Sequence, residues 1–283
     1  MKKNASKIVM FILIVLISLS FIAIKDISDE NMRIYFLDVG QGDSIYVRYK
    51  HIDLLVDGGP DNQALYELGK YRPFYDQKIE YIILTHPHAD HIKGLLEIVN
   101  RNDVGTIFMT DAVSESAVYN SFIQIINDRD INIHIIKERN CQNIDLLYDI
   151  CFIWPTSSYA DQKISNLNDT SIMAKLMFGN FSLMLTGDIE NTKQSVIALQ
   201  EKNFLKSDIL KAAHHGADNG IENSFMSYVN PELVIISVGE NNKYKHPGKK
   251  HIEYLEQNDI SYLRTDKHGT IEIITNGINF WTN

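Results

Sequence analysis

The spacing of hydrophobic and polar positions changes repeatedly along this chain, from runs of strand length to segments with a helical period. Residues 32–40, 44–50 and 52–59 are apolar or alternating and are separated by short polar breaks, which predicts three successive strands. The same criteria predict, in order, a helix at 62–71, a strand at 78–85, a helix at 91–101, a strand at 104–110, a helix at 114–129 and a strand at 131–138.

The second half of the chain is also rich in predicted strands. Residues 170–178 and 181–185 are separated by Gly179 and Asn180, a pair suited to a tight hairpin turn. The remaining predicted elements are a helix at 190–203, a strand at 207–216 that ends in two histidines, a helix near 222–229, a strand at 232–239 and the segments 244–258, 261–266 and 269–276. Two mixed sheets with helices outside them fit this order, so the predicted class is α/β or α+β.

The N-terminal segment differs in character from the rest of the chain. Three lysines lie within residues 1–7, seventeen uncharged residues follow at 8–24, and a polar stretch begins at residue 25. This layout predicts a secretory signal peptide or a single membrane anchor over residues 1–27, with a buried strand or helix as the alternative. Cleavage stays open, because no A-x-A site is evident but Ser18-Leu19-Ser20 offers small residues. Residues 28–283 contain no evident linker, which predicts one continuous domain.

Composition and charge bound the class of protein. With 45% hydrophobic residues in 283, the chain has the composition of an ordinary globular protein with a large core. Its net charge of −9, from 27 basic and 36 acidic residues, excludes a protein that coats nucleic acid through bulk positive charge. Any contact with nucleic acid must therefore be local. The two cysteines, Cys141 and Cys151, either pair after export or remain small buried side chains.

A dense group of potential metal ligands lies at residues 85–91, which have the sequence THPHADH. Imidazole and carboxylate groups are the ligands that catalytic zinc and manganese sites use. Because one extended loop cannot direct all four groups at one ion, we predict two ions, with His86 and His88 on one and Asp90 and His91 on the other. The alternative is a solvated polar loop in which the histidines occur by chance.

Other potential ligands lie far along the chain from this motif. His214 and His215 end a predicted strand, His246 precedes a proline, and Asp188 follows the strand at 181–185. From spacing alone, Asp188 either bridges two ions or caps the helix that follows it.

Taken together, these motifs resemble the metallo-β-lactamase superfamily. THPHADH, a downstream LTGD and a later HHG carry the likeness, and a narrower one is to the hydrolase domain of the DNA-uptake protein ComEC. The segments that resemble it, in order, are FLDVGQGDS, LLVDGG, THPHADHIKG, NDTSIMAKL, FSLMLTGDIE, LKAAHHG, VIISVGENNKYKHP and LRTDKHGTIEI. The resemblance covers residues 31–275 and implies a four-layer αββα sandwich with a dinuclear metal site between the sheets.

The resemblance also implies roles for individual residues. The first metal motif is matched by His86, His88, Asp90 and His91, the bridging carboxylate by Asp188, and the final histidine motif by His214 or His215. Adjacent strand residues point in opposite directions, so one of this last pair faces the ions, and His214 is the favoured ligand. Asp57 matches an aspartate that supports the first motif, by accepting a hydrogen bond from a ligand imidazole. The alternative for Asp57 is a turn residue before two glycines.

One segment departs from the wider superfamily. Where many members have a histidine in a G-H-T-x-G segment, this chain has Asn168-Asp169-Thr170-Ser171, as the ComEC-like group does. One ion then has fewer imidazole ligands, and Asp169 or a later histidine completes its coordination. More oxygen ligands shift the preference from zinc toward manganese, so we expect two divalent ions, either Zn or Mn.

The resemblance places His246 near the ions, and Pro247 suits the first turn of the helix that follows. The alternative is an exposed residue at a helix start. Around His246 lie four lysines, of which Lys245 and Lys249 are the ones expected to contact substrate phosphates; a solvated charge run is the alternative.

These features predict a metal-dependent hydrolase, with a phosphodiester as the favoured substrate. Asp90 would orient an activated water molecule, and His215 or His246 would stabilise or protonate the leaving oxygen. The ComEC likeness implies degradation of nucleic acid, such as single-stranded DNA, by a domain that is secreted or held outside the cell by the N-terminal anchor in the membrane. The alternatives are a hydrolase of another exported substrate (a cell-wall phosphodiester, a phosphocholine ester, a lactone or a β-lactam) and a non-catalytic, metal-containing protein that binds DNA.

Overall fold

The fold is described over residues 2–283, with side chains at 7–20 and 28–283, in a computed structural model. The predicted signal or anchor segment, residues 1–27, therefore lies partly outside the described residues. Its backbone forms most of helix α1, Lys2–Ser28. A search of the described residues finds no helix with both the length and the apolar character needed to cross a membrane. The assignment of this segment stays a prediction.

Fifteen strands form two sheets within residues 2–283. In chain order they are β1 Met32–Phe36, β2 Ile45–Tyr49, β3 Ile52–Val56, β4 Lys78–Ile83, β5 Asp103–Met109, β6 Asn132–Ile135, β7 Asn140–Ile144, β8 Tyr148–Trp154, β9 Met173–Phe178, β10 Phe181–Leu185, β11 Ile209–Lys211, β12 Leu233–Ile236, β13 Ser261–Arg264, β14 Ile271–Thr275 and β15 Phe280–Thr282. The first sheet has the order β15-β14-β1-β2-β3-β4-β5-β6, and the second has the order β13-β12-β11-β10-β9-β8-β7.

Helices cover the outer face of each sheet. After α1 they are α2 Gln63–Tyr71, α3 Ala89–Arg101, α4 Ala117–Asp128, α5 Asn191–Glu201, α6 Asn223–Val229, α7 Lys249–Gln257 and α8 Thr265–His268. Apolar residues of α2, α3 and α4 pack on the first sheet, and those of α5, α6 and α7 pack on the second. A third apolar cluster, with Phe36, Phe152 and Leu183 fully buried, fills the space between the sheets. Each such side chain contributes about 1.5–3 kcal/mol through burial. The predicted four-layer αββα sandwich is confirmed.

The sequence-based prediction missed several elements. Strands β7 and β8 were not predicted. Cys141 and Cys151 lie opposite each other on these antiparallel strands and form a disulfide, the first of the two alternatives for this pair. The predicted strand 207–216 is also too long, because β11 ends at Lys211. His214 and His215 follow in a 3₁₀ turn, Ala213–Gly216.

The strand order places the polar motifs at one edge of both sheets. Strands β3, β4 and β5 run parallel in the first sheet, and β10, β11 and β12 run parallel in the second. Asp57, His86, Asp188 and His215 all follow the carboxyl ends of these strands. Loops at the carboxyl ends of parallel strands are where α/β sheets bind ligands. Residues more than a hundred positions apart in the chain thus meet at one edge.

Candidate metal centre

Asp57 holds the ligand loop at residues 85–91 in place through hydrogen bonds. It is fully buried and adopts a left-handed backbone conformation (φ 57°), which aspartate tolerates better than most residues. Its Oδ1 accepts a hydrogen bond from the Thr85 amide (2.8 Å), and its Oδ2 accepts one from the Thr85 hydroxyl (2.7 Å). The same Oδ2 lies 2.7 Å from Nδ1 of His91. A carboxylate in this position orients the imidazole and leaves its Nε2 for a metal, so Asp57 has the supporting role that the resemblance implied.

Close packing of glycine backbones holds Asp57 against helix α3. A Cβ atom placed on Gly94 would lie 1.9 Å from the Gly58 carbonyl oxygen, so the helix approaches the loop to a distance that only glycine allows. Two backbone hydrogen bonds join them, from Gly58 N to His91 O (2.7 Å) and from Gly94 N to Gly59 O (3.1 Å). The distance between Asp57 and His91 is therefore set by backbone contacts.

His86 and His88 direct ring nitrogens at a common space. Nε2 of His86 lies 3.0 Å from Nδ1 of His88, and the His86 ring is held from behind by the Thr85 hydroxyl, 3.1 Å from its Nδ1. Two nitrogen ligands of a tetrahedral zinc ion lie about 3.3 Å apart when each Zn–N bond is about 2.0–2.1 Å. The separation therefore suits a shared ion, and burial lowers the pKa of both imidazoles and keeps them neutral, as metal binding requires.

Asp188 lies between the two halves of the site. Its Oδ2 is 3.2 Å from Nε2 of His91, 3.4 Å from Nε2 of His215 and 4.0 Å from Nε2 of His86. Asp90 approaches from the start of α3, with Oδ2 3.5 Å from Nε2 of His215. Among the described residues, ligand atoms of Asp90, His91, Asp188 and His215 all lie within 4.8 Å of one another. Asp188 thus has the position of a bridging carboxylate rather than a simple helix cap.

His215, not His214, belongs to this group of donors, which corrects the sequence-based preference. The preference assumed an extended strand, but both residues have left-handed backbone angles (φ 51° and 56°) in a turn. The His215 side chain is 2% exposed and turns inward, whereas that of His214 is 22% exposed and lines the cavity above the donors. His215 Nδ1 lies 3.0 Å from the Ser237 carbonyl oxygen, which leaves its Nε2 free for a metal.

Neighbouring carboxylates shift the pKa of two of the imidazole donors upward. Burial by itself would lower the pKa of His91, but Asp188 and Asp57 outweigh it and raise the pKa well above its ordinary value. The pKa of His215 is raised in the same way, against burial, by Asp188 and Asp43. The carboxylates around both imidazoles thus favour positive charge at this position, which a divalent ion would supply.

Unpartnered polar atoms show that the donor set fits divalent ions. Asp188 Oδ1 and His215 Nε2 are buried and have no hydrogen-bond partner. A buried polar atom without a partner is costly, and a divalent ion would satisfy both of these. The combination of imidazole nitrogen and carboxylate oxygen suits zinc and manganese alike.

The donors form the floor of a cavity of about 340 Å³. Its lining residues are Gln41, His88, Ala89, Asp90, Asn168, Asp188, His214, His215, Tyr244 and His246. Asn168, not Asp169, occupies the position next to the histidines, with Nδ2 3.4 Å from Nε2 of His214. Asp169 is outside the lining, and its backbone carbonyl instead accepts hydrogen bonds from Trp154 and Tyr159. The expectation that Asp169 completes the coordination is therefore not supported by its position.

His246 lines the cavity, as the resemblance implied. Burial, with smaller effects from His214 and His215, lowers its pKa to about 4, so its ring is neutral at pH 7. Helix α7 begins at Lys249, two residues after Pro247, so the prediction that this proline lies in the first turn is wrong. Lys245 and Lys249 lie outside the cavity lining, and the Lys249 side chain is 85% exposed and pairs with Glu253.

Comparison with known proteins bears directly on this arrangement. Residues 37–112 match the family model described as the metallo-beta-lactamase superfamily. The fold is similar to that of the metallo-beta-lactamase fold protein YhfI from Bacillus subtilis, with a TM-score of 0.53 at 13% identity over 89% of this chain and 100% of that chain. The chain has the metallo-β-lactamase fold.

This metallo-β-lactamase-fold chain is also similar to competence proteins. It is 28% identical to ComE operon protein 3 of Bacillus subtilis (strain 168), over 83% of this chain and 32% of that protein. It is 23% identical to competence protein ComA of Neisseria gonorrhoeae, over 83% of this chain and 31% of that protein. The chain thus spans about a third of the length of the curated relatives it matches. The predicted resemblance to the ComEC group is confirmed.

Two residues that sequence reasoning missed complete the centre of this metallo-β-lactamase-fold chain. Asp43 and Lys211 are each 1% exposed and form an ion pair beneath the donors. Lys211 Nζ also lies 3.1 Å from the Gly187 carbonyl oxygen and 3.6 Å from Asp188 Oδ1, and Asp43 Oδ1 lies 3.3 Å from Nδ1 of His215. Both residues lie within segments that carry the family resemblance, FLDVGQGDS and LKAAHHG. Neither was singled out, because neither belongs to a standard metal-ligand motif.

We expect Asp57→Asn to weaken metal binding by about 10- to 100-fold, the usual cost of losing a carboxylate that orients a ligand imidazole. The neutral amide keeps the size of the side chain but loses the charge that favours the His91 Nδ1 proton. Competition with a chromophoric chelator measures the affinity. Asp61→Asn, an exposed carboxylate in the same loop, is the matched control and should bind metal like the wild type. Equal affinity in both variants would show that Asp57 does not orient the ligand.

Proposed function

We propose that this chain is a dinuclear, metal-dependent phosphodiesterase that acts outside the cytoplasm, most directly on a nucleic-acid strand. The observation that carries the proposal is the convergence of imidazole and carboxylate donors from both sheets on Asp188 Oδ2, on the floor of an open cavity. His86, His88 and Asp188 would hold one ion, and Asp90, His91, His215 and Asp188 the other. Metal-dependent hydrolysis is the chemistry that such donor sets serve.

Bound divalent ions would supply an acidified water molecule and positive charge for a phosphoryl oxygen. The protein's own residues would hold the reacting groups in place. Asp90, which is partly exposed on the cavity side, is positioned to orient the attacking water. His215 is reassigned from the catalytic role considered above to metal ligation, because its Nε2 faces Asp188 and Asp90.

His214 and His246 are the groups that remain to contact the leaving oxygen. Their ring centroids lie 5.5 Å apart, and both rings line the cavity beside the donors. Because the His246 ring is neutral at pH 7, it would stabilise the leaving oxygen by donating a hydrogen bond and would not act as a cationic acid. His214 would act next to it: its Nε2 lies 3.4 Å from the Asn168 amide nitrogen, and its Nδ1 has no hydrogen-bond partner.

A phosphodiester fits the cavity better than a lactam. The lining offers a hydrogen-bond donor for a phosphoryl oxygen in the amide nitrogen of Gln41, which is buried without a partner. Lys243 and Lys245 lie on either side of the lining residue Tyr244 in the chain and add positive charge near the opening, although the chain as a whole is acidic. The resemblance to the hydrolase domain of the DNA-uptake protein ComEC favours nucleic acid among phosphodiesters.

The proposed site of action of this chain is outside the cytoplasm. The apolar segment at 8–24 would direct export and either anchor the domain in the membrane or be removed. The Cys141–Cys151 disulfide supports this location, because disulfides persist in oxidising compartments and are rare in the cytosol.

The purified full chain, supplied with Mn²⁺ or Zn²⁺, is expected to hydrolyse bis-p-nitrophenyl phosphate and single-stranded DNA but not nitrocefin. Chelation should abolish the activity, and His88→Ala should lower kcat/KM on the order of 10²-fold or more, because a metal ligand is lost. His51→Ala, at an exposed histidine far along the chain from the motif, serves as the control. Unchanged phosphodiesterase activity in His88→Ala would refute the metal-dependent mechanism. Retention of DNA without turnover would favour the binding protein, and turnover of nitrocefin alone would favour a lactamase.

A further inference from the structure

Tyr244 presents an aromatic ring at the opening of the metal cavity. The residue is 53% exposed, although it lines the same cavity as Asp90 and Asp188. Its ring stacks on the His246 imidazole at a centroid distance of 5.7 Å and an angle of 13°. The neighbouring lining groups are mostly donors and acceptors of hydrogen bonds, so this exposed ring has a surface suited to a planar, apolar part of a ligand.

The loop that carries Tyr244 is held in place at both ends. Gly239 N donates to Gln41 Oε1 (3.2 Å), which fixes the start of the loop to the wall of the cavity. Asn242 then joins the loop to itself: its Nδ2 donates to the carbonyl oxygens of Gly239 (3.0 Å) and His246 (2.7 Å), and its Oδ1 accepts from His246 N (2.9 Å). A ring on a loop with this many hydrogen bonds needs little ordering when a ligand binds.

An unpartnered donor in the same wall also points to a ligand. Because Gln41 Oε1 accepts from Gly239, its Nε2 is turned away from that amide, and this nitrogen is buried without a hydrogen-bond partner. Lys243 Nζ lies over the Tyr244 ring, 4.9 Å from its centre, as a cation–π contact that a stacked ligand would replace. The site thus combines an aromatic face, a neutral donor and a nearby cation.

We propose that Tyr244 is a stacking platform for the nucleobase next to the phosphodiester that is cleaved, a proposal that rests on the proposed function. Every base has a planar face, so a tyrosine face favours bases of any sequence. A base stacked on Tyr244 would displace the Lys243 ammonium group from the ring toward the adjoining phosphates. A phosphodiester without an aromatic base would lose this contact. Tyr244 would therefore make the enzyme prefer nucleotide esters over other phosphodiesters.

A pair of chromogenic esters tests this preference. Thymidine 5′-(p-nitrophenyl phosphate) and methyl p-nitrophenyl phosphate release the same phenolate and differ in the thymidine group. The ratio of their kcat/KM values is expected to fall roughly tenfold in Tyr244→Ala. Tyr244→Phe and Tyr244→Trp should keep the ratio, since both keep an aromatic face. Tyr66→Ala, at a 69% exposed tyrosine on α2 outside this cavity, is the control for loss of a surface ring.

A binding measurement separates this proposal from the proposed function. Fluorescence anisotropy in EDTA compares a labelled thymidine hexamer with its abasic counterpart, so no hydrolysis is needed. The wild-type full chain should bind the thymidine hexamer more tightly, and Tyr244→Ala should lose roughly tenfold for that hexamer alone. If wild type hydrolyses neither ester, the phosphodiesterase proposal fails while this comparison still decides on stacking. Equal binding of the two hexamers by wild type, or equal weakening by Tyr244→Ala, would overturn the stacking role.

Discussion

Replacing Asp188 with alanine is expected to lower kcat/KM for a phosphodiester by about 10³-fold or more and to remove bound metal. Its Oδ2 faces three imidazoles, at 3.2, 3.4 and 4.0 Å from Nε2 of His91, His215 and His86. As a ligand shared by both proposed ions, Asp188 would help to hold each of them. Their charge stabilisation would be worth several kcal/mol, and each 1.36 kcal/mol is tenfold in rate.

Two measurements on Asp188→Ala separate metal binding from catalysis. Elemental mass spectrometry gives the metal content per chain, and kcat/KM is determined with excess Mn²⁺ or Zn²⁺. The matched control is Asp208→Ala, which removes a carboxylate at the opposite end of the same sheet, where it accepts hydrogen bonds from Ser182. This control should lose stability and retain its metal. Full metal content and full activity in Asp188→Ala would contradict the bridging role.

Replacing Lys211 with methionine is expected to lower the free energy of unfolding of the metal-free protein by about 3–5 kcal/mol. The substitution removes the Lys211 cation from the buried Asp43 carboxylate, which is the costly way to break a buried ion pair, and leaves Asp43 only the imidazoles of His215 and His91. For a chain of this size the loss corresponds to a fall in Tm of roughly 10 °C. Thermal unfolding in EDTA measures it without interference from bound ions.

A double-mutant cycle shows whether that loss comes from the ion pair. Asp43→Asn should restore part of the stability of Lys211→Met, because the uncompensated charge is then absent. Lys175→Met is the matched control: this lysine is also buried but donates to backbone carbonyls of Phe204 and Lys206. Asp43→Asn should not rescue it. Additive losses for Asp43 and Lys211 would show that their contact is not energetically coupled.

The sequence predicted those parts of the fold and of the site that depend on residues close together in the chain. The motif THPHADH predicted a loop of metal ligands, and the alternation of strands and helices predicted a sandwich of two sheets. Both predictions depend on the pattern of residues that are neighbours in the chain. The paired strands β7 and β8 were missed. In β7 only Ile144 is buried, so its sequence has no apolar run, whereas β8 is almost wholly buried and was left unassigned. Their pairing depends on contacts with β9 that no local pattern contains.

The choice between His214 and His215 failed for a different reason. Alternation applies to extended strands, and the chain leaves the strand at Lys211 to form a turn with left-handed residues. Lys211 itself was missed because a lysine in an apolar run looks like a surface position, although it is buried by its ion pair with Asp43. Such partners become visible only when two distant segments are brought together.

The contact at Gly94 defines what a sequence must contain to build this centre. A side chain at that position would push helix α3 away from Gly58 and carry the His91 ring off the Asp57 carboxylate. The effective motif is therefore longer than its donors: it runs from His86 to Gly94 and includes the glycines after Asp57. A chain with every ligand but a bulkier residue at position 94 would match the ligand motif and still bind metal more weakly. A sequence search for related metal centres is more selective when it requires glycine at the position of Gly94 as well as the ligands.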